Sequence, residues 1–391
     1  MKYYSHLTNA ANILDLYQGR EPFHYFIKGY FKEEKKFGSK DRKQISHLCY
    51  CYFRLGKAMM DYGVEERIIT GLFLGSFQPD EMLEFFRPDW NKPELLSDLV
   101  AKVERLKSEF PTFNPNEVFW FREPLSVGID REEFAISHSV QPDLFLRVRP
   151  GNEARVHEVI DTHPGFIEWT DPAIVRLQNS TKLDELLLID KEVVIQDLSS
   201  QSTQSYLPDL TEGMHPSIWD CCAASGGKAI MTWDHYEQID LTVSDKRESI
   251  LANLEKRFNV AGINNYESFI MDLGAEDAFV PSGKFDIVIA DVPCSGSGTW
   301  GRAPENLLYF DPKKVSGYQL LQRTILSNIA NSILPGGYLV YITCSVFKKE
   351  NEANVAFIEK EFGFTSERSG VIPGYHLGAD TMFAATFRKP V

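Results

Sequence analysis

Phe285-Asp-Ile-Val-Ile-Ala-Asp-Val-Pro-Cys-Ser-Gly-Ser-Gly-Thr-Trp-Gly301 decides how the rest of the chain is read. Its first six residues form a short apolar run rich in branched side chains, which predicts a buried strand. The run stops at a carboxylate, Asp291, followed by Pro293, Cys294 and a glycine–serine loop. In an open parallel sheet, ligands sit outside the carboxyl ends of the strands. The stretch therefore places Asp291, Pro293 and Cys294 together at the rim of a site. A strand that merely ends in a tight turn would account for a bare Asp-x-Pro. It does not account for the cysteine and three glycines as well.

On both sides of this stretch strands and helices alternate. Ser217–Asp220, 239–244, 267–271 and 338–343 are further strand candidates, with helices expected near 246–259, 313–334 and 349–362. Residues 382–388 fit a last strand. This rhythm predicts an α/β fold with a doubly wound, mostly parallel sheet over residues 206–391. Upstream, at 135–205, strand candidates 143–149, 165–169, 174–177 and 193–197 surround a short helix at 153–160, a small α+β domain. Arg147 and Arg149 there could meet phosphates or line a solvent face. Residues 1–134 read as helical. Apolar residues recur at three- and four-residue steps from Arg42 to Met60, with Ser39 and Asp41 as cap candidates, and again from Leu95 to Phe110.

The chain has 391 residues, enough for two or three domains, with an ordinary 43% hydrophobic and 25% charged content. The opening Met-Lys-Tyr-Tyr-Ser-His lacks the apolar core of a signal peptide, and no run of about 18 apolar residues occurs, so a cytoplasmic chain with no membrane partner is expected. Its six cysteines lack zinc spacing, so no metal is expected, and in the cytosol they should be reduced. A net charge of −14 excludes a protein coated in nucleic-acid-binding charge. Yet Lys28 to Lys57 holds nine Lys/Arg and only three acids. Such a patch can dock RNA, or serve only as a solvated face.

Asp220-Cys-Cys-Ala-Ala-Ser-Gly-Gly-Lys228 follows the first strand of the α/β region. Small residues there let the backbone approach a ligand at the start of a helix. The stretch is neither G-x-G-x-x-G nor a P-loop. Four successive strand ends carry Asp220, Asp245, Asp272 and Asp291, and Asp245 stands where an acid meets ribose hydroxyls in such folds. Any one could be a helix cap; recurrence at one edge favours a shared site. The fifth strand ends at Thr343-Cys344-Ser345, so Cys294 and Cys344 close neighbouring strands. One buried cysteine is usually inert packing. Two at a ligand edge suggest thiol chemistry.

These motifs resemble those of the RsmB-type (Sun/Fmu) family of S-adenosylmethionine-dependent RNA cytosine-5 methyltransferases. D-V-P-C-S-G-S-G-T is similar to the family's fourth motif, T-C-S to its sixth, and D-C-C-A-A-S-G-G-K to its cofactor loop. Val194–Ser200 and Leu144–Arg149 continue the match upstream. The helical start, with Asp41-Arg42 leading into Leu48 to Leu55, resembles the NusB-like RNA-binding domain of the branch that acts on small-subunit rRNA. The resemblance implies a Rossmann-like class I methyltransferase domain behind a NusB-like domain and the small α+β domain. Its implied partner is RNA, small-subunit (16S) rRNA or its assembling particle. Two positions depart from the family pattern: Ser225 replaces a proline and Ala229 a threonine, which should loosen the cofactor loop more than change the reaction.

The resemblance also implies roles. Carbon 5 of cytosine is a poor nucleophile until a thiolate adds to carbon 6, and Cys344 would supply that thiolate. Asp291 would hydrogen-bond or protonate the ring nitrogen, and Pro293 would shape the base pocket. Cys294 would assist loss of the carbon-5 proton and release of the adduct. Cys222, Ala223, Ala224, Ser225, Gly226, Gly227 and Lys228 would hold the methionine part of S-adenosylmethionine, Asp245 its ribose and Asp272 its adenine. A DNA cytosine-5 methyltransferase would attack with the fourth-motif cysteine and needs no T-C-S. A tRNA target, or a non-catalytic ribosome-assembly factor on a methyltransferase fold, are the other readings.

Overall fold

Along Phe285–Asp291 the side chains of Ile287 and Ile289 join the core on one face of a sheet, and those of Val288 and Ala290 the core on the other. That is the two-residue period of a strand buried on both faces. The computed structural model describes residues 2–391 except 184, 212, 237, 276–277, 279 and 282–283. Its chain divides into two compact units that do not follow sequence order.

The larger unit comprises Glu123–Ile129, Asp143–Gly298 and Lys313–Val391. Among the described residues it contains two sheets. The first is antiparallel, built from β1 (Leu144–Val148), β2 (Phe166–Asp171), β3 (Ile174–Leu177) and β4 (Val193–Ile195) in the order β2-β3-β1-β4. It packs on the helix Glu153–Ile160 through Leu146, Val148, Val156 and Ile160. Arg147 and Arg149 do not line a solvent face. Both are buried and form ion pairs with Asp234 at 2.6 and 2.7 Å, because a carboxylate on the helix Gly227–His235 comes to meet them.

The second sheet has seven strands: β5 (Ser217–Asp220), β6 (Asp240–Asp245), β7 (Tyr266–Ile270), β8 (Phe285–Asp291), β9 (Ile333–Thr343), β10 (Thr365–Pro373) and β11 (Thr381–Arg388). Their order is β10-β11-β9-β8-β5-β6-β7. The five strands from β9 to β7 run parallel, while β11 pairs antiparallel with β9, and β10 with β11. β10 is a strand the sequence did not announce. It is an edge strand whose first residues, Thr-Ser-Glu-Arg-Ser, show no apolar alternation, so its pairing with β11 defines it. The helices Gly227–His235 and Glu248–Ala261 cover one face through Ile230, Leu251, Leu254 and Phe258. Lys314–Ile329 and Glu352–Phe362 cover the other through Ile325, Leu326, Ile329 and Ile358.

The smaller unit comprises Met1–Arg122, Asp130–Pro142 and Thr299–Pro312, and it is helical. Its helix Ser39–Arg54 ends six residues before the apolar periodicity does. Gly56 has φ 48°, and a β-carbon there would lie 2.0 Å from the Val118 carbonyl oxygen, so the chain must turn. Ser39 is the first helical residue, preceded by Gly38 without a side-chain cap, and Asp41 is bonded to His6 instead. The second expected helix is two, Pro93–Leu96 and Leu99–Glu109, because Asp98 caps the latter. Residues 299–312 belong to this unit's core: Trp300 is 2% exposed, 5.0 Å from the Phe121 ring. Glu305 accepts the Phe23 amide at 3.0 Å.

Candidate active site

β5, β6, β8 and β9 end side by side, and each ends in a polar residue. Asp220, Asp245 and Asp291 are the last residues of β5, β6 and β8, while Cys344 directly follows β9 and Asp272 lies two residues beyond β7. A cavity of about 300 Å³ opens at this edge, within the range of small-molecule sites. Cys222, Ala224, Asp245, Asp272, Asp291, Pro293, Cys294 and Cys344 line it, together with Arg247 and the apolar Met271, Leu273, Leu321 and Ile325. Asp220, Ala223, Ser225, Gly226, Gly227 and Lys228 are not part of its wall.

Backbone contortion shapes the cofactor-side loop. Ala224 has φ 47° and Gly226 φ 85°, both left-handed, and a β-carbon on Gly226 would come within 2.9 Å of the Phe258 ring. The Ala223 amide bonds the Ser244 carbonyl at 2.9 Å, and the Ala224 amide bonds Asp245 at 3.1 Å. Ser225, where the family has proline, is clamped from outside. Arg257 donates to its carbonyl at 2.8 Å and its hydroxyl at 3.2 Å, while pairing with Asp190 at 2.7 Å. The stiffness a ring would supply comes here from a cross-link. No sequence signal pointed to Arg257.

The acids differ in state although they share an edge. Asp245 receives the amides of Ala224 and Arg247 and two bonds from the Arg247 guanidinium. Burial alone would raise it, but these donors outweigh burial and hold it below the usual carboxylate range. Asp220 is 1% exposed, and burial, then the charge of Asp291, pushes it up to about 7 against the pull of Lys228. Lys228 donates to Asp291 at 2.6 Å. Burial would lower the ammonium, but Asp291 more than offsets that and keeps it protonated.

Cys294 and Cys344 are both free, with their sulfurs 3.1 Å apart. Gly298 lets their loops interlock: its amide bonds the Cys344 carbonyl at 2.9 Å, and a β-carbon would collide with the Thr381 carbonyl. The Cys344 bond, burial and nearby charge push the Cys294 thiol well up. Behind the pair lies a polar cluster of Ser295, Ser297, Ser345, Glu350, Asn351 and Asn354, all buried. The sequence did not single these out, because a serine or asparagine near a strand end has no distinctive spacing.

Residues 207–369 match the family described as 16S rRNA methyltransferase RsmB/F. Over this stretch the chain is similar to the RsmB/F family of S-adenosylmethionine-dependent methyltransferases. A ribosomal RNA small subunit methyltransferase B from Xanthomonas campestris pv. campestris is 27% identical over 271 residues, covering 66% of this chain and 61% of that protein. A tRNA (cytosine(72)-C(5))-methyltransferase NSUN6 from Mus musculus is 34% identical over 161 residues, or 37% of this chain and 32% of its own length. The chain thus spans less than two thirds of these relatives. The crystal structure of PH0851 shares the fold, with a TM-score of 0.68 at 18% identity over 99% of this chain and 98% of that one.

The RsmB/F cofactor suits this cavity. Asp245, Asp272 and Asp291 give it an electronegative wall for a cationic sulfonium, and the four apolar side chains offer a surface for a flat adenine. Asp245 already accepts four hydrogen bonds, from the amides of Ala224 and Arg247 and twice from the half-exposed Arg247 guanidinium.

Proposed function

We propose that the protein transfers a methyl group from S-adenosylmethionine to carbon 5 of a cytosine in RNA, through a transient bond to Cys344. The juxtaposition of Cys294 and Cys344 carries this reading. Two free thiols 3.1 Å apart, beside Asp291 and Pro293, supply an attacking sulfur and a second group within proton-transfer reach. Cys344, as thiolate, adds to carbon 6 and forms the sulfur–carbon bond, while the ring nitrogen takes a proton or hydrogen bond at the Lys228–Asp291 pair, and any such proton returns there when the adduct breaks down. The electron pair released by that addition makes carbon 5 nucleophilic. S-adenosylmethionine, when bound, supplies the methyl carried by its sulfonium. Cys294 then passes its proton to the departing Cys344 sulfur and takes the proton that leaves carbon 5, which restores the aromatic ring. The target base must be unstacked to reach this pocket.

Cys222, Ala224 and the loop through Lys228 would cradle the methionine part, Asp245 the ribose, and Asp272 with the apolar wall the adenine. Lys228 acts at one remove, by orienting Asp291. The proposed target is small-subunit rRNA or its assembling particle in the cytoplasm, as the name of the Xanthomonas relative suggests. A tRNA cytosine is the second reading, favoured by the name of the mouse relative. Residues 1–134 would dock the RNA, 135–205 link, and 206–391 perform the chemistry. Lys28, Lys32, Lys35, Lys36, Lys40 and Lys43 are exposed and available to phosphates, whereas Arg54 is buried on three carbonyls and Lys57 is stacked on Trp120. Incubation with labelled S-adenosylmethionine and small-subunit rRNA or tRNA should label one of them at a cytosine. No transfer to either, together with no cofactor binding by calorimetry, would sink the enzyme reading and leave the assembly factor.

A further inference from the structure

Glu350 sits in the turn between β9 and the helix Glu352–Phe362 and is 0% exposed. Its Oε1 accepts the Ser295 amide at 2.9 Å and the Gln322 side-chain amide at 2.9 Å. Its Oε2 accepts the hydroxyls of Ser295 at 2.6 Å and Ser345 at 2.5 Å. Each of these four groups is a donor. The two oxygens of a carboxylate have enough lone pairs to accept all four bonds at once. A buried anion is tolerated only when hydrogen-bonded in this complete way.

The four bonds have a pattern. Ser295 adjoins Cys294, Ser345 adjoins Cys344, and Gln322 also holds the Pro293 carbonyl at 3.0 Å. One carboxylate therefore ties together the loops that carry both sulfurs. Two thiolates 3.1 Å apart would repel, so when one sulfur gives up its proton the other keeps its own. Which sulfur keeps its proton depends on the charges around the pair. Lys228, bonded to Asp291, attracts charge at Cys344. Glu350 repels charge at Cys294. Asp220 is neutral up to about 7, Tyr318 and Tyr341 are neutral, and Arg323 is bonded to Asn354 beyond them.

We propose that Glu350 is the positioning residue of the cysteine pair: it clamps the two cysteine loops and keeps the proton on Cys294, leaving the negative charge on Cys344. The proposal rests on the adduct chemistry above and explains why one of two similar sulfurs attacks while the other handles protons.

Alkylation of the full chain by iodoacetamide, followed residue by residue with peptide mass spectrometry as pH varies, tests it. In the wild type, Cys344 should react with a midpoint at least about one pH unit below that of Cys294, a tenfold difference in thiolate fraction. Glu350→Gln keeps the shape and removes the charge, so the ratio of Cys294 to Cys344 labelling at neutral pH should rise about tenfold. Ser345→Ala deletes one clamp bond but keeps the charge and should leave that ratio within about twofold. A folded Glu350→Gln with an unchanged ratio would overturn the proposal. Should that variant not fold, the wild-type midpoints decide, and coincident or reversed values overturn it. Labelling needs neither RNA nor cofactor, so failure of methyl transfer would count against the proposed function alone.

Discussion

At the β5–β6 end of the catalytic edge, the loop after Asp220 is shaped by backbone: a left-handed Ala224, a left-handed Gly226, and amides bonded to the Ser244 carbonyl and to Asp245. At the β8–β9 end, the cysteine loops are shaped by side chains, with Ser295, Ser345 and Gln322 all converging on Glu350. The two ends also treat charge differently. On the cofactor side Asp245 is stabilised by an Arg247 that is half-exposed and can yield, whereas Glu350 is fully enclosed. A loop held mainly by its backbone should accept side-chain exchange, with Arg257 adding two bonds at Ser225. A loop held by a closed polar cluster should not, because each deletion strands a buried partner.

The comparison breaks most sharply at the sulfurs. Cys344→Ala should lower methyl transfer more than about 10³-fold and abolish covalent adducts, measured with labelled cofactor and denaturing gels. Cys294→Ala should instead accumulate a protein–RNA adduct that survives denaturation. Normal turnover in the Cys294 variant, or a dispensable Cys344, would reverse the assignment.

Asp220 offers a stability test. Its folded-state carboxyl keeps a proton that the unfolded chain loses, so its contribution falls as pH rises from about 4 to about 7 and is least favourable above that. Asp220→Asn should therefore exceed the wild type in stability at pH 8 by on the order of 3 kcal/mol, a gap that shrinks towards pH 5 in urea denaturation. The smallest effect belongs to the cofactor loop. Arg257→Ala should weaken S-adenosylmethionine binding by about three- to tenfold in calorimetry, since the loop loses two hydrogen bonds but keeps its backbone shape. A loss as large as that at the cysteines would mean that both ends depend equally on side chains.

Much of this was legible along the chain because strand and turn signals are local. Phe285–Asp291 is a strand over the residues its apolar run defines, and all four strand-end acids lie at one edge. The motifs named the two cysteines. The antiparallel edge was not legible, since β10 is polar and has meaning only beside β11. Nor was the fate of Arg147 and Arg149, which depends on an aspartate 85 or more residues away. The opening stretch was itself only half legible: Asp291 to Gly298 belong to the catalytic unit, while Thr299, Trp300 and Gly301 fold with the helical one.

The sequence by itself determined which residues are candidates for the chemistry, because strand ends, glycine turns and reactive side chains are written in short stretches. The tertiary structure alone decided their surroundings: which acid is held charged, which arginine bonds the serine of the glycine-rich loop, and which carboxylate stands behind the two sulfurs. Protonation and positioning depend on burial and on partners far away in the chain, and no local pattern encodes those.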